Sequence, residues 1–335
     1  ESGVRETGVN ETAGGDRVQQ AGASIADSAS QDVVSAGFSL ETGTRKIRLS
    51  PNVQSAASDL SRRRQQAIQW GEKLLRSRLD LLAEPAIGFP VSAAQRMEGH
   101  GEQAAGFYRL LVSRGLDSPW SLPARKELWL HQPRGQKPPE NSFASKMSKA
   151  PPVLDGELTD DVWKNSKPIS LRSPYGDDKE WSSMVFVAHD AEFLYLAARC
   201  QKTTADRYPK QSEGRRRTDD INAWDRVRVC VDIDRDYSSY FVLAVDCRGW
   251  VVDHFQNGEV WDPTWFVADW RNEDEWGFEA AIPWQEIAPP DQRIDLLLNI
   301  SRTAPLTGVQ AWTPDASVEP HASGFRAVTF LDKTP

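Results

Sequence analysis

Asp232, Asp234 and Asp236 alternate in a DxDxD run, and oxygen ligands at every second position are the pattern that holds a calcium ion. The run is not an EF-hand loop, because its sixth position is not glycine and its twelfth is Leu243. A solvated hairpin turn is the other use for these residues. Structural calcium is the one inorganic group the sequence suggests, and no organic cofactor is expected. Arg226 and Arg228 stand two apart and therefore share a strand face. Two guanidiniums on one face suit an acidic or sulfated group, or nearby acids of the chain itself. Glu279, in GFEAAIP, is the carboxylate best placed for acid–base work, although an alternating strand would use it simply as an outward or edge residue. Two carboxylates roughly 5–10 Å apart suffice for glycoside hydrolysis, so catalysis is left open. HExxH, GxSxG, a glycine-rich phosphate loop and a cysteine with a local base are all missing from the sequence. Cys200, Cys230 and Cys247 have no CxxC spacing and are expected as buried small hydrophobes. A Cys230–Cys247 disulfide is left open across a hairpin near Tyr237.

The chain has 335 residues, enough for two domains, and a formal net charge of -8. That charge gives little counterion release on nucleic acid, which is not expected as a partner. No run approaches the ~20 apolar residues of a membrane span. Ten of the 13 tryptophans follow residue 150, so the aromatic surplus lies in the second half.

Residues 1–50 are rich in Gly, Ser, Ala, Glu and Gln without a sustained apolar period, and are expected to be a disordered leader. Apolar spacing from Ser58 predicts a helix ending at Pro85, a second from Ser92 to Arg114 with Gly115 beyond it, and a third from Pro123 carrying Leu128, Trp129 and Leu130. Residues 51–135 thus read as a small helical segment, possible as the end of a repeat array continued upstream. The polar, proline-rich stretch 136–150 reads as a linker. From 151 to 335 short alternating runs predict an antiparallel β-sandwich: Met184–Ala188, Phe193–Arg199, Val227–Asp234, Tyr240–Val245, Trp250–Phe255, Phe278–Ile282, Ile294–Ile300 and Phe325–Phe330. The chain is therefore expected to be mostly β, preceded by a leader and a helical region. Trp261, Trp265 and Trp270 fall in VWDPTWFVADW, read as loop, where exposed rings would make a binding platform; otherwise they close the sandwich.

In order, PPVLDGELTDDVW (151–163), VAHDAEFLYLAARCQ (187–201), DRVRVCVDIDRDYSSYFVLAVDCRG (225–249), WGFEAAIPWQEI (276–287) and QAWTPDAS with GFRAVTF (310–330) resemble the family 9 carbohydrate-binding modules. The resemblance implies a non-catalytic domain that holds a sugar between aromatic rings, with polar groups fixing its hydroxyls. It places Trp224 as the first stacking ring; the polar positions of its later strand become Leu297, Asn299 and Ser301 here, and Asn299, Ser301 and Arg302 remain as candidate polar contacts, the first two on one face by alternation. It also brings structural calcium as a family habit, and it fits an extracellular or periplasmic targeting module of a larger polysaccharide-processing protein. The second stacking tryptophan of the family has no counterpart in TPDASVEPHASGF, and Arg228 replaces a carboxylate. The expected partner is an oligo- or polysaccharide, together with upstream domains of the same polypeptide. Two other uses stay open: a structural or protein-interaction sandwich with no sugar site, and a haem-binding relative with Met184 and His254 as axial ligands.

Overall fold

The computed structural model describes residues 51–115, 118–132, 139, 142–209, 216–218, 220–256, 261–288, 295–313 and 317–330. The expected leader, residues 1–50, lies outside them, as does part of the expected linker.

Five helices come first: α1 (Pro51–Ser77), α2 (Leu79–Leu82), α3 (Pro85–Met97), α4 (Gly101–Ser113) and α5 (Ser121–His131). Pro85, expected to end a helix, instead opens α3 at its first turn, where proline's missing N–H has no intrahelical partner to lose. The helix expected from Ser92 to Arg114 is broken at Gly99, which takes φ +83°, a left-handed conformation that favours glycine.

The remaining elements are β1 (Phe143–Ser145), α6 (Asp161–Asn165), β2 (Ile169–Ser170), β3 (Ser183–His189), β4 (Phe193–Gln201), β5 (Arg226–Asp232), β6 (Phe241–Asp246), β7 (Val251–Phe255), β8 (Phe266–Arg271), β9 (Glu275–Pro283), α7 (Trp284–Ile287), β10 (Leu296–Ala304), β11 (Gly308–Ala311) and β12 (Arg326–Phe330). They form two sheets. One has seven strands in the order β1-β12-β10-β5-β6-β7, with β11 added on β10; the other has five, β2-β3-β4-β9-β8. Every ladder is antiparallel except β1 on β12. The antiparallel β-sandwich expected of this half is therefore present. Two details differ from the sequence expectation: β1 falls within the stretch read as linker, and β8 occupies part of the stretch read as loop.

Alternation sorts the side chains. Val185, Val187, Leu196, Val227, Val229, Val231, Leu243, Val245, Leu298 and Ile300 fill the space between the sheets. Cys230, Val242, Leu297 and Ala327 face outward from the seven-stranded sheet, where Phe89, Tyr108, Leu111 and Ala124 of the helices cover them. A buried charge cluster reinforces that contact. Glu127, 0% exposed, accepts from Arg235 Nε at 3.1 Å and Tyr237 Oη at 3.1 Å, while Arg96 donates to the Asp234 carbonyl at 2.8 Å. Burial raises the Glu127 carboxyl, but Arg235 and Arg96 outweigh it and hold its pKa below the usual value.

Two further buried carboxylates tie the motifs, one on the outer face of the five-stranded sheet and one between the sheets. Glu279, on β9, is 0% exposed and accepts from Asp155 N at 2.9 Å, Gly156 N at 2.7 Å and Trp163 Nε1 at 2.5 Å. Gly156 has φ +84°, and a Cβ there would come within 2.7 Å of the Asp269 backbone. Asp225 accepts from Tyr208 Oη at 2.7 Å and Trp276 Nε1 at 2.9 Å as well as from Arg302. The ordered sequence motifs are thus tied to one another by buried carboxylates.

Candidate functional site

The seven-stranded sheet has an outer face that the helices cover at one end only. From that covered end outward, its registers set out three rows, the first of them still partly under the helices. Asn299, Cys230, Val242 and His254 form the first; Ser301, Arg228, Ala244 and Val252 the second; Thr303, Arg226 and Asp246 the third. Trp250 joins the third row through Asp246 N, which donates to its carbonyl at 3.0 Å. Trp224 precedes β5, and its carbonyl accepts from Arg226 Nη1 at 3.2 Å. Of the residues expected at a sugar site, Arg226, Arg228, Asn299 and Ser301 therefore share one face, and Trp224, whose ring also packs against the core between the sheets, stands beside them just before β5.

Trp224 and Trp250 are both half-buried, and the Arg248 guanidinium lies over each ring, at 4.5 and 3.6 Å from their centroids. Asp246 fixes Arg248 by accepting from its Nε at 2.8 Å. Arg226 donates to the Asn222 and Trp224 carbonyls; burial, and then the charge of Arg228, pull its pKa down. Arg228 donates to the Val318 carbonyl at 2.8 Å and to the Glu319 carboxylate at 2.9 and 3.2 Å. Burial lowers the Arg228 pKa, but the Glu319 bond outweighs it and leaves it raised. Asn299 accepts from Thr313 Oγ1 at 3.0 Å, while its own Nδ2, with Arg228 Nε and Trp250 Nε1, is buried without a hydrogen-bond partner. Trp250, Arg248 and Glu319 escaped the sequence reading because their relation to Trp224 and Arg228 arises only in the folded sheet.

Three expected site residues lie elsewhere. Arg302 follows Ser301 by one position and so points inward. It is 0% exposed and donates from Nε to Asp225 Oδ1 (2.9 Å), from Nη1 to Trp181 O (2.9 Å) and Ser183 Oγ (3.0 Å), and from Nη2 to Gln201 O (2.7 Å) and Asp225 Oδ2 (2.6 Å). Every N–H of its guanidinium is used, so none is left for a ligand. Trp265 is 1% exposed, with Nε1 donating to Asp253 Oδ2 at 3.0 Å. Trp261 is half-buried and packs on Phe241 at 4.5 Å between ring centroids. These rings belong to the core between the sheets and not to an exposed platform.

Asp232, Asp234 and Asp236 bring one carboxylate oxygen each within 4.8 Å of one another. Asp232 accepts from Tyr237 N at 3.0 Å, and Asp236 accepts from the backbone and hydroxyls of Ser238 and Ser239. Burial, then the neighbouring Asp234 and Asp236, push the Asp232 pKa well up; burial and Asp236 push Asp234 up to about 6. Three hard oxygen donors with mutual repulsion fit a divalent cation by donor type.

Glu279 faces outward from its sheet, as expected, but the Asp155–Trp163 segment covers it and takes up both its oxygens. Burial raises its pKa, but no lone substrate-facing oxygen remains. Met184 and His254 do not form an axial pair. Met184 flanks the inward Val185 on the five-stranded sheet, and His254 pairs with the outward Val242 of the other sheet, so they lie on opposite outer faces. Cys230 and Cys247 are free and buried, Cys230 on the helix side of the sheet and Cys247 between the sheets. A groove of about 290 Å³ lined by Trp163, Met184, Phe186 and Arg199 contains none of the residues expected at a sugar site. Among the described residues no helix is long and apolar enough to cross a membrane.

No protein-family model matches the chain, and no curated protein matches it. Among solved structures it is similar to a family 9 carbohydrate-binding module from Caldicellulosiruptor kristjanssonii in complex with cellotriose, at 15% identity over 56% of this chain and 93% of that one, TM-score 0.42. The same module in complex with glucose gives 15% identity, 56% and 95% coverage, and TM-score 0.41. A candidate carbohydrate-binding protein from Bacteroides uniformis matches at 15% identity over 57% of this chain and 99% of that one, TM-score 0.42.

Proposed function

We propose that the sandwich binds an oligo- or polysaccharide without transforming it, on the outer face that carries Trp224, Trp250, Arg226, Arg228, Asn299 and Ser301. The observation that supports this most is the Arg228 guanidinium, part-buried on this face and paired with a carboxylate that is itself 74% exposed, because a polar group so placed can fix the orientation of a ligand. Half-buried indoles alongside supply the apolar surface that the C–H face of a sugar packs on. A targeting role within a larger, extracellular or periplasmic polysaccharide-processing protein follows from this proposal. Calcium held by Asp232, Asp234 and Asp236 would relieve their mutual repulsion and stiffen the β5–β6 turn, which also meets Arg96.

The test is a glycan-array screen of the full chain, followed by tryptophan-fluorescence titration of Trp224→Ala and Trp250→Ala. Binding that either variant weakens ten-fold or more supports the face; binding unaffected by both moves the site elsewhere. Absence of binding to neutral and acidic glycans alike favours the second reading, an interaction scaffold. That reading has one observation of its own: Arg248 already stacks on both indoles.

A further inference from the structure

Among the described residues of the outer face, the buried side-chain atoms without a partner are donors: Arg228 Nε, Asn299 Nδ2 and Trp250 Nε1. Neutral sugar hydroxyls offer donors and acceptors together, whereas a carboxylate offers acceptors alone. The charges lean the same way. Arg226 hydrogen-bonds backbone carbonyls, and Asp246 is engaged by Arg248; among the described residues, Glu319 is the carboxylate that pairs with Arg228. The ion pair is also asymmetric: the Arg228 side chain is 15% exposed on a central strand, and that of Glu319 is 74% exposed beyond the end of β11. A pair with one partner so exposed contributes little to stability, so exchanging that partner costs little.

We propose that Arg228 receives the carboxylate of a uronate unit in an acidic saccharide, in the position Glu319 holds. This rests on the outer face being a carbohydrate site. Glu319 is then a tethered competitor: it keeps the guanidinium neutralised when no ligand is present and swings into solvent when one arrives. The guanidinium fork accepts either carboxylate in the same bidentate geometry. The recognition is local, because a chain with a formal net charge of -8 does not attract polyanions at long range.

The experiment titrates the full chain with tri-galacturonate, its methyl ester, cellotriose and sulfated cellotriose by calorimetry. Tri-galacturonate should bind about ten-fold tighter than its ester. Arg228→Gln should erase that ratio. Glu319→Gln, a surface change that leaves the fold intact, should raise the ratio by about three-fold as the competitor is removed. Equal affinity for acid and ester, or weaker acid binding by Glu319→Gln, overturns the uronate assignment while leaving a neutral carbohydrate site standing. Sulfated cellotriose binding as tightly as the uronate overturns it in favour of a general anion site. No binding to any of the four overturns both the uronate and the carbohydrate proposals.

Discussion

Arg302 and Arg228 lie on paired strands, with Ser301 opposite Arg228 and Arg302 opposite Val227, yet the pleat sends them to opposite faces of one sheet. Inside, Arg302 spends every donor on Asp225, Trp181, Ser183 and Gln201. Outside, Arg228 is held by an exposed carboxylate and a carbonyl, and its Nε has no partner. A guanidinium that serves the fold must be saturated, because desolvating a charge without full compensation costs several kcal/mol. One kept for recognition can remain short of partners and lean on an exposed, replaceable carboxylate. The difference separates architecture from candidate site within the same four-residue neighbourhood.

The sharpest way to break that division is to attack the interior. Asp225→Ala leaves Arg302 buried without its carboxylate and also strips Trp276 and Tyr208 of an acceptor. A loss of about 3–5 kcal/mol is expected, measured as a shift in the urea midpoint at unchanged slope. Glu279→Ala should come next, at about 2–4 kcal/mol, since Gly156 N and Trp163 Nε1 lose their buried acceptor. If either variant unfolds with the parent's midpoint, saturation of the interior is not what holds the motifs together.

The aspartate turn sits between the two cases, saturated in part and strained by like charges. Asp234 is held in the folded state near 6, above its ordinary 3.8, and Asp232 is raised as well. The folded chain then binds more protons than the unfolded one between those values, so this turn contributes stability at low pH that is lost as pH rises through about 6. In EDTA, melting should occur a few degrees lower at pH 7.5 than at pH 5, the scale of about 1–2 kcal/mol. Calcium should remove most of that slope, and Asp234→Asn should remove both the slope and the calcium response. A slope that persists unchanged in calcium would mean that the turn holds no cation.

Much of the interior was legible in the sequence because it follows a period of two. The alternating runs at Val227–Asp234 and Phe193–Arg199 locate the strands within a residue or two. The ordered motifs held their meaning because Glu279 of GFEAAIP bonds the turn of LDGELTDDVW. The same period should have excluded Arg302, one step from Ser301 and hence on the other face. Trp265 takes the second of its two readings, closing the sandwich: it stands outside any strand, just before β8, and is buried. Short edge strands such as β1 and β11 carry too few residues for a pattern. The outer face was half legible: Arg226 and Arg228 share it by alternation, but Trp250 and Arg248 meet Trp224 only across β5 and β6, and Glu319 reaches Arg228 across 91 residues of sequence.

The smallest expected effect bears most on function. Arg228→Gln and Glu319→Gln each remove the outer ion pair, and each should change unfolding stability by no more than about 1 kcal/mol. If Arg228→Gln instead destabilises as strongly as Asp225→Ala, its guanidinium is holding the segment around Val318 in place, and the two faces differ in exposure but not in purpose. If it costs little while saccharide binding changes, a charge can be deleted from this sheet without cost to the fold only on the face where its partner is replaceable. Measuring both arginines by the same denaturant titration makes the outcome a ratio between faces, independent of the overall stability of the chain. A ratio of interior to exterior cost well above one supports the site, and a ratio near one assigns both faces to the scaffold.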